Sequence, residues 1–325
     1  DLNGRVFTDY IALIMGANDR YLKSKLYILT NDGYRYLTDL GIGGGIDPNG
    51  FIFSANKTGL TTSSGQTLYH SGKSIDGDNT INSGLSGGAL VPSPNTFSYP
   101  TFFNPPDLTA ISGLGYPLTA QQPQPAQNFL FVGGTGGSGN LTPQGVGGTF
   151  NFTTIQAGSY QIIIDTNGDG IYNASDTILN GAAISGSNSI SWDGKDNSGA
   201  ILPPRPGNLA YNARITLRVG EYHFPLVDVE TATNGFKIQM LNPPGAFSNG
   251  SNDTTIYFDE SKYTTNGTVV DLGCSSSILP ICDGRAGVDS SAGAHKFGTN
   301  YGDKKAIDTW IYFPSSGVSS SLVIF

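Results

Sequence analysis

Short runs of alternating apolar and polar residues recur along the chain and are separated by turn-forming residues. Val, Ile, Phe and Tyr are frequent in the runs at residues 25–29, 129–132, 159–164 and 210–219. β-Branched and aromatic residues repeating with a period of two suit the pleated surface of a strand. The Gly and Pro residues between the runs favour turns. The pattern predicts an all-β fold with two or more β-sandwich modules and long Gly/Pro-rich loops.

A Pro- and Gln-rich stretch divides the chain. Residues 121–128 read Gln-Gln-Pro-Gln-Pro-Ala-Gln-Asn, which is typical of a semi-extended linker. We therefore expect an N-terminal β-rich module with long loops over residues 1–120. A second β region, which contains the most specific motif of the chain, is expected over residues 129–325, with a subdivision near residue 245.

The composition narrows the class of partner. The chain has 45 Gly, 18 Pro, 13% charged residues and a net charge of -8. A nucleic-acid partner requires a basic face, so this balance disfavours one. No run of about 18 apolar residues occurs, so we expect no membrane span. A start at Asp1 without a signal peptide suits a processed mature segment.

The most specific motif is a 12-residue stretch of oxygen-bearing side chains at residues 165–176. It reads Asp-Thr-Asn-Gly-Asp-Gly-Ile-Tyr-Asn-Ala-Ser-Asp, with Gly170 at the sixth position, where a calcium loop turns sharply. A hard cation takes six to eight oxygens at about 2.3–2.6 Å. The alternative is a polar turn that needs no ion. The predicted calcium ligands are Asp165, Asn167, Asp169, the main-chain carbonyl of Ile171, Asn173 and Asp176.

The residues before this loop indicate what an ion would do there. Residues 159–164 read Ser-Tyr-Gln-Ile-Ile-Ile, which predicts a strand instead of the helix of a calcium sensor. The loop resembles those of dockerin modules, in which the last ligand is Asp, as Asp176 is here. A dockerin has two such loops with helices, whereas this chain has one loop after a strand. We therefore expect a structural calcium site and not a switch.

Two cysteines, Cys274 and Cys282, lie close together in the sequence. Two nearby thiols could also be redox-active or bind a metal ion, but no second cysteine pair is present and the three histidines are scattered. The spacing favours a disulfide that staples a short loop. Such a bond implies an oxidising compartment, which is the basis for expecting a secreted, extracellular or cell-surface protein.

Residues 192–219 combine Trp-Asp-Gly-x-Asp-x-x-Gly, a Pro-rich turn and a Tyr-x-x-Arg-Ile-x-Leu strand. This segment resembles the Ig-like repeats of secreted bacterial cell-surface proteins. The Ig-like domain of flagellar hook-capping protein is similar, although its turn is shorter than residues 204–209 here. The resemblance implies Ig-like sandwiches and a structural or adhesive role. Asp193, Asp196 and Asn197 in this motif could hold a second calcium ion, and the alternative is an ordinary polar turn.

Three enzyme signatures occur literally but lack their structural context. Residues 134–139 match a dinucleotide fingerprint, yet no helix former follows and no acid occurs before Asp165. Residues 84–88 match a nucleophile elbow without a flanking strand and helix. Residues 72–74 end like a phosphate loop but lack its first glycine. We therefore expect no catalytic residues and no enzymatic activity.

The leading hypothesis is a non-enzymatic extracellular structural or adhesive protein, stabilised by calcium, that forms a filament or surface array. Its expected partner is itself, through strand edges, or a surface glycan or protein. The uncharged C-terminal residues 318–325 are the candidate edge, and the alternative is an ordinary last strand of their own domain. The alternative function is a carbohydrate-binding or accessory module of a secreted glycan-degrading system, in which Trp192 and Trp310 could form a sugar platform.

Overall fold

The strands and the short helix are known from a computed structural model. It describes residues 6–14, 21–47, 49–61, 65–73, 85–86, 89–90, 99–227, 229, 231–247, 250–265, 268–272, 281–298 and 305–325. The strands are β1 (Phe7–Thr8), β2 (Ile11–Ile14), β3 (Lys25–Leu29), β4 (Arg35–Asp39), β5 (Asn49–Phe53), β6 (Gly72–Lys73), β7 (Leu85–Ser86), β8 (Ala89–Leu90), β9 (Thr101–Phe102), β10 (Gln127–Gly133), β11 (Leu141–Thr142), β12 (Gly148–Thr154), β13 (Gly158–Ile164), β14 (Thr177–Ala183), β15 (Gly186–Trp192), β16 (Tyr211–His223), β17 (Leu226–Val227), β18 (Lys237–Met240), β19 (Thr255–Ile256), β20 (Lys262–Thr265), β21 (Thr268–Asp271), β22 (Val288–Asp289), β23 (Lys305–Ile307), β24 (Trp310–Pro314) and β25 (Val318–Ile324). The α-helix is α1 (Leu108–Gly113), and two 3₁₀ turns cover Ile42–Gly44 and Pro206–Asn208.

The predicted all-β fold is confirmed over these residues. The alternation expected of half-buried strands is clear in β12, where Phe150 and Phe152 point into the core and Thr149 and Asn151 do not. The helix α1 is short and begins at Asp107, whose carboxylate accepts a hydrogen bond from the main-chain N–H of Ala110 at 2.6 Å. Among the described helices, none has the length and apolar character needed to cross a bilayer.

The chain divides into two compact units that are not contiguous in sequence. Unit 1 consists of residues 1–121 and 220–313, and unit 2 consists of residues 122–219 and 314–325. We had expected residues 129–325 to form one region with a subdivision near residue 245, but residues 220–313 belong to unit 1. The reason is strand pairing, because β17 pairs with β5 and β18 pairs with β4.

Unit 1 contains two five-stranded sheets. Their strand orders are β1-β9-β3-β4-β18 and β2-β5-β17-β23-β6. Buried aromatic rings fill its interior. The ring centroids of Tyr36 and Tyr222 are 5.3 Å apart, and those of Phe53 and Phe224 are 4.5 Å apart. Such pairs add dispersion and quadrupole attraction to the burial of apolar area.

Unit 2 is a β-sandwich. Its smaller sheet has the order β10-β12-β15, and its larger sheet has the order β11-β25-β16-β13-β14. Aromatic residues of the smaller sheet, including Phe150 and Trp192, share one buried cluster with aliphatic residues of the larger sheet, including Ile162 and Ile215. Two sheets that bury their inner faces against each other make a core of this kind. The strand β13 leads directly into residues 165–176.

The C-terminal strand β25 pairs with two strands of its own unit. Residues 318–322 are antiparallel to β16 and residues 323–324 are parallel to β11, and Leu322 and Ile324 are buried in the core of unit 2. The segment is therefore the last strand of its own domain, the alternative that the sequence left open. Association of this chain with itself through a strand edge stays a prediction.

We expect Leu322→Ala to destabilise unit 2 by about 2–5 kcal/mol, because it removes a fully buried side chain from the core. Phe325→Ala is the matched control, since Phe325 lies three residues further along the chain with its side chain 52% exposed, and we expect a loss within about 0.5 kcal/mol. Urea unfolding followed by Trp192 fluorescence measures the free energy of unfolding of both variants. Equal losses in the two variants would contradict the placement of β25.

Candidate functional site

The predicted calcium loop closes the hairpin between β13 and β14. The last residue of β13, Ile164, pairs with the first residue of β14, Thr177, and residues 165–176 connect them. The main-chain N–H of Asp165 also donates to the carbonyl of Asn212 at 2.8 Å, which ties the loop to β16. The ends of the loop are therefore fixed by the sheet before any side chain of the loop is considered.

The first and last acids of the loop are buried at its base. Asp165 and Asp176 are each 1% exposed. The carboxylate of Asp165 accepts main-chain N–H groups of Gly168 at 2.7 Å and Gly170 at 3.0 Å. The carboxylate of Asp176 accepts those of Thr166 and Asn173, both at 3.0 Å. Asp176 Oδ1 also accepts a hydrogen bond from the hydroxyl of Thr166 at 3.3 Å.

The other predicted ligands lie on the outer part of the loop, where main-chain N–H groups fix their oxygens. Asn167 accepts from the N–H of Asp169 at 3.0 Å, and Asp169 accepts from that of Ile171 at 2.7 Å. Asn173 accepts from the N–H of Ser175 at 2.8 Å. The Ile171 side chain is exposed, as expected of a residue that would contribute only its carbonyl. Gly170 has a φ of +77°, the left-handed turn expected at the sixth position.

The predicted donor set has the chemistry of a calcium loop, but its acids are not grouped around one point. No three His, Cys, Asp or Glu side chains in the described ranges are placed so as to hold a metal ion, and this includes the three predicted aspartate ligands. The rest of the predicted set consists of two amides and a main-chain carbonyl. Oxygen donors of mixed charge are what calcium accepts. Calcium binding at these six residues stays a prediction.

A contact that the sequence did not predict joins this loop to the turn after Trp192. Asn197 accepts the main-chain N–H of Ile178 at 2.9 Å and donates its amide to the carbonyl of Asp176. Sequence reasoning had weighed Asn197 with Asp193 and Asp196 as a possible second calcium site. Asp193 accepts the N–H of Lys195 at 3.1 Å, and Asp196 accepts that of Ser198 at 2.8 Å. Both acids act here as turn residues.

Unit 1 contains a second cluster of titratable groups, and it is fully buried. His223 is placed between two carboxylates, with Nδ1 at 2.8 Å from Asp308 Oδ2 and Nε2 at 3.0 Å from Glu221 Oε1. His295 has Nδ1 at 2.6 Å from Thr309 Oγ1 and Nε2 at 2.8 Å from Glu260 Oε1. We call these six residues the histidine–carboxylate cluster.

Ser71 connects the two histidine pairs. Its hydroxyl donates to the carboxylate of Glu260 and accepts the main-chain N–H of Asp308 at 3.0 Å. The rings are also stacked on aromatic residues. His295 lies 4.1 Å from Phe258, and His223 lies 5.6 Å from Trp310 between ring centroids. The electron-rich face of an aromatic ring favours a positively charged imidazole.

The charge of His223 is the clearest electrostatic feature of this cluster. Burial alone would lower its pKa, but the charge and hydrogen bonds of Asp308 and Glu221 outweigh burial and raise the pKa to about 9. His223 is therefore protonated at neutral pH. A buried imidazolium between two carboxylates compensates charges that would otherwise be very costly to bury.

The contacts of Thr309, His295 and Glu260 have the composition of a nucleophile, a base and an orienting acid. Thr309 and Glu260 are 0% exposed and His295 is 2% exposed, so solvent does not reach the hydroxyl in this conformation. A substrate must come within hydrogen-bond reach of a base for general-base catalysis. In this conformation a substrate therefore does not reach the Thr309 hydroxyl.

The remaining sequence motifs can also be placed. The glycine run at residues 134–139 leads to the strand β11 and not to a helix, so it lacks the geometry of a dinucleotide site. Trp192 and Trp310 are 4% and 1% exposed, so neither forms an exposed sugar platform. Cys274 lies outside the described residues, and Cys282 is not a free thiol. The pairing of Cys274 with Cys282 stays a prediction.

We expect the stability of unit 1 to fall as pH rises through about 9. The folded-state pKa of His223 is raised above its unfolded value of 6.5, so its contribution is complete below about 6.5 and is lost on deprotonation near 9. The loss expected between these limits is about 3 kcal/mol. Urea unfolding at a series of pH values, followed by Trp310 fluorescence in a Trp192→Phe background, measures it.

The control for this measurement is His223→Gln, which cannot be protonated. It should be less stable at neutral pH and should lose the decline between pH 6.5 and 9. A flat profile in the unaltered chain, or an unchanged decline in His223→Gln, would show that His223 is not the titrating group.

We expect Gly59→Ala to disrupt the cluster. Gly59 has a φ of +59°, and a Cβ there would lie 2.1 Å from Asp308 Oδ2 and 2.4 Å from His223 Nδ1. Separating a buried ion pair costs about 3–5 kcal/mol. Gly65→Ala is the control, because Gly65 has a φ of +82° with no atom within 4 Å of an added Cβ. It should cost only about 1–2 kcal/mol of backbone strain. If urea unfolding shows similar losses of stability for the two variants, Gly59 does not lie close to Asp308 and His223.

With the geometry of both clusters described, the chain can be compared with known proteins. No protein family, curated protein or solved structure matches it. The resemblances to Ig-like surface repeats and to dockerin loops therefore stay expectations from the motifs at residues 165–176 and 192–219.

Proposed function

We propose that this chain is a non-enzymatic structural protein of the extracellular space or cell surface, and that calcium stabilises its second unit. Calcium would be held by Asp165, Asn167, Asp169, the carbonyl of Ile171, Asn173 and Asp176. The ion would supply positive charge at the base of the β13–β14 hairpin. Its role would be to fix a loop and not to drive a conformational switch.

One observation carries this proposal, the placement of two buried carboxylates at the two ends of one loop. Asp165 follows Ile164 at the end of β13, and Asp176 precedes Thr177 at the start of β14. Both are 1% exposed and adjoin neighbouring antiparallel strands. An ion bound by both acids would cross-link the ends of two strands of the larger sheet. That is a stabilising position.

The surroundings of the loop support a static role. The strands on either side of the loop, β13 and β14, pair with each other in the larger sheet of unit 2. The guanidinium of Arg214, on β16, lies 4.2 Å from the centroid of the Tyr172 ring within the loop. A cation–π contact of this kind holds the side of the loop against the sheet. Calcium sensors instead couple their loops to helices that can change their angle.

The proposed extracellular location is consistent with the calcium assignment. Extracellular modules bind calcium with dissociation constants of about 10⁻⁴–10⁻³ M. A site with two neutral amides and a carbonyl carries less charge than a loop of acids alone, which suits that weaker range. The two cysteines, if paired, belong in the same oxidising compartment.

The test is thermal unfolding of unit 2 with and without a calcium chelator. An ion that binds only the folded state stabilises it by about 2.7 kcal/mol at a hundredfold excess over Kd. For a unit of this size we expect Tm to rise on the order of 10 °C. Trp192 reports unit 2 when Trp310→Phe removes the other tryptophan.

Two variants make the test specific. Asp165→Asn and Asp176→Asn should abolish the calcium-dependent rise in Tm, because each removes a buried ligand charge. Asp193→Asn should keep it, because the Asp193 side chain is 66% exposed and lies outside the loop. Indifference of the unaltered chain to chelator, or full calcium response in Asp165→Asn, would reject the proposal.

A further inference from the structure

The carboxamide of Asn197 bonds the main chain on both sides of Thr177. Its Oδ1 accepts the N–H of Ile178 at 2.9 Å, and its Nδ2 donates to the carbonyl of Asp176. A side-chain amide has the same donor and acceptor as a peptide group. Asn197 therefore takes the place of a neighbouring strand at the start of β14, along the edge of β14 that does not pair with β13. Both of its polar atoms face the main chain of residues 176–178.

The turn that carries Asn197 is firmly attached to the core. The indole Nε1 of Trp192 donates to the carbonyl of Lys195 at 2.8 Å, and Trp192 is 4% exposed. Within the turn, Asp196 accepts the N–H groups of Ser198 at 2.8 Å and Ala200 at 2.9 Å. A rigid support of this kind can fix whatever its side chains hold.

Hydrogen bonds within the turn stabilise the ionised carboxylate of Asp196. Burial tends to raise its pKa, but the hydroxyl of Ser198 and the N–H groups of Ala200, Ser198 and Gly199 outweigh burial and lower it. The carboxylate therefore stays ionised well below neutral pH. The support of Asn197 does not depend on pH over the range in which calcium binding would be measured.

We infer that Asn197 is a positioning residue of the calcium site. This inference rests on the proposed function. Asp176 is the last predicted ligand, and its carboxylate is aimed into the loop while Asn197 holds its main-chain carbonyl on the opposite side. Residues that orient a ligand without touching the ion commonly change metal affinity by about 10–100-fold. The proposed ion would thus be linked to the core of unit 2 through Asn197, its turn and Trp192.

The chain offers a matched control in Asn188. Its Oδ1 accepts the N–H of Ile184 and its Nδ2 donates to the carbonyl of Ile184, both at 2.9 Å. Asn188 thus makes the same two kinds of bond, in the same unit, at the turn between β14 and β15. That turn is at the other end of β14 from residues 165–176. A general loss of stability would affect Asn188→Ala and Asn197→Ala alike.

The experiment compares metal affinity in the unaltered chain, Asn197→Ala and Asn188→Ala. Terbium(III) replaces calcium as a luminescent probe that Tyr172, inside the loop, can sensitise, and calcium competition then yields Kd. We expect Asn197→Ala to weaken calcium binding by about 10-fold or more and Asn188→Ala by less than about twofold. Shorter terbium lifetimes in Asn197→Ala should show water entering a loosened site, which a purely structural defect would not produce.

The outcomes separate this inference from the proposed function. Absence of terbium and calcium binding in the unaltered chain overturns both. Binding by the unaltered chain with the same Kd in Asn197→Ala, or the same weakening in Asn188→Ala, overturns only the positioning role. Should Asn197→Ala fail to fold in chelator, Asn197→Ser, which keeps one hydrogen-bonding hydroxyl, gives the same comparison with the same expected direction.

Discussion

A buried carboxylate needs compensating charge or several hydrogen-bond donors, and this requirement governs both units of the chain. Only 13% of the residues are charged, yet five of the acids discussed above are almost completely buried: Asp165, Asp176, Glu221, Glu260 and Asp308. Removing one such charge from water without a partner costs more than the whole stability of a typical domain. The positions of the loops and turns around these acids follow from the need to supply partners.

The two units meet this requirement in different ways. In unit 1 the partner is built in, because His223 gains a proton and lies between Glu221 and Asp308. In unit 2 the main-chain N–H groups of a loop surround Asp165 and Asp176, and the proposed calcium ion adds the missing positive charge. A proton bound with a pKa of about 9 is retained at neutral pH, whereas binding of the proposed ion would depend on the concentration of calcium around the protein. Unit 1 thus compensates its buried acids internally, and under the proposed function unit 2 would also need a bound ion.

Sequence reasoning succeeded where the determining residues are neighbours in the chain. The strands follow from alternation within five to seven residues, and the loop at 165–176 follows from the order of its own oxygens. The histidine–carboxylate cluster could not be found this way, since Ser71 and Glu260 are separated by 189 residues and His223 and Asp308 by 85. The unit boundaries failed for the same reason, because no local signal shows that β18 pairs with β4.

The order of strands in unit 2 explains why stabilising one local hairpin would matter to the whole sandwich. In the larger sheet, β25 from the end of the chain pairs with β16, and residues 224–317, most of them in unit 1, separate the two strands in sequence. Closing so long a stretch costs conformational entropy before any contact compensates it. The hairpin β13–β14 closes only the loop at 165–176, so its contacts cost the least. Stabilisation of this hairpin by an ion would therefore favour the part of unit 2 on which β16 and then β25 can assemble.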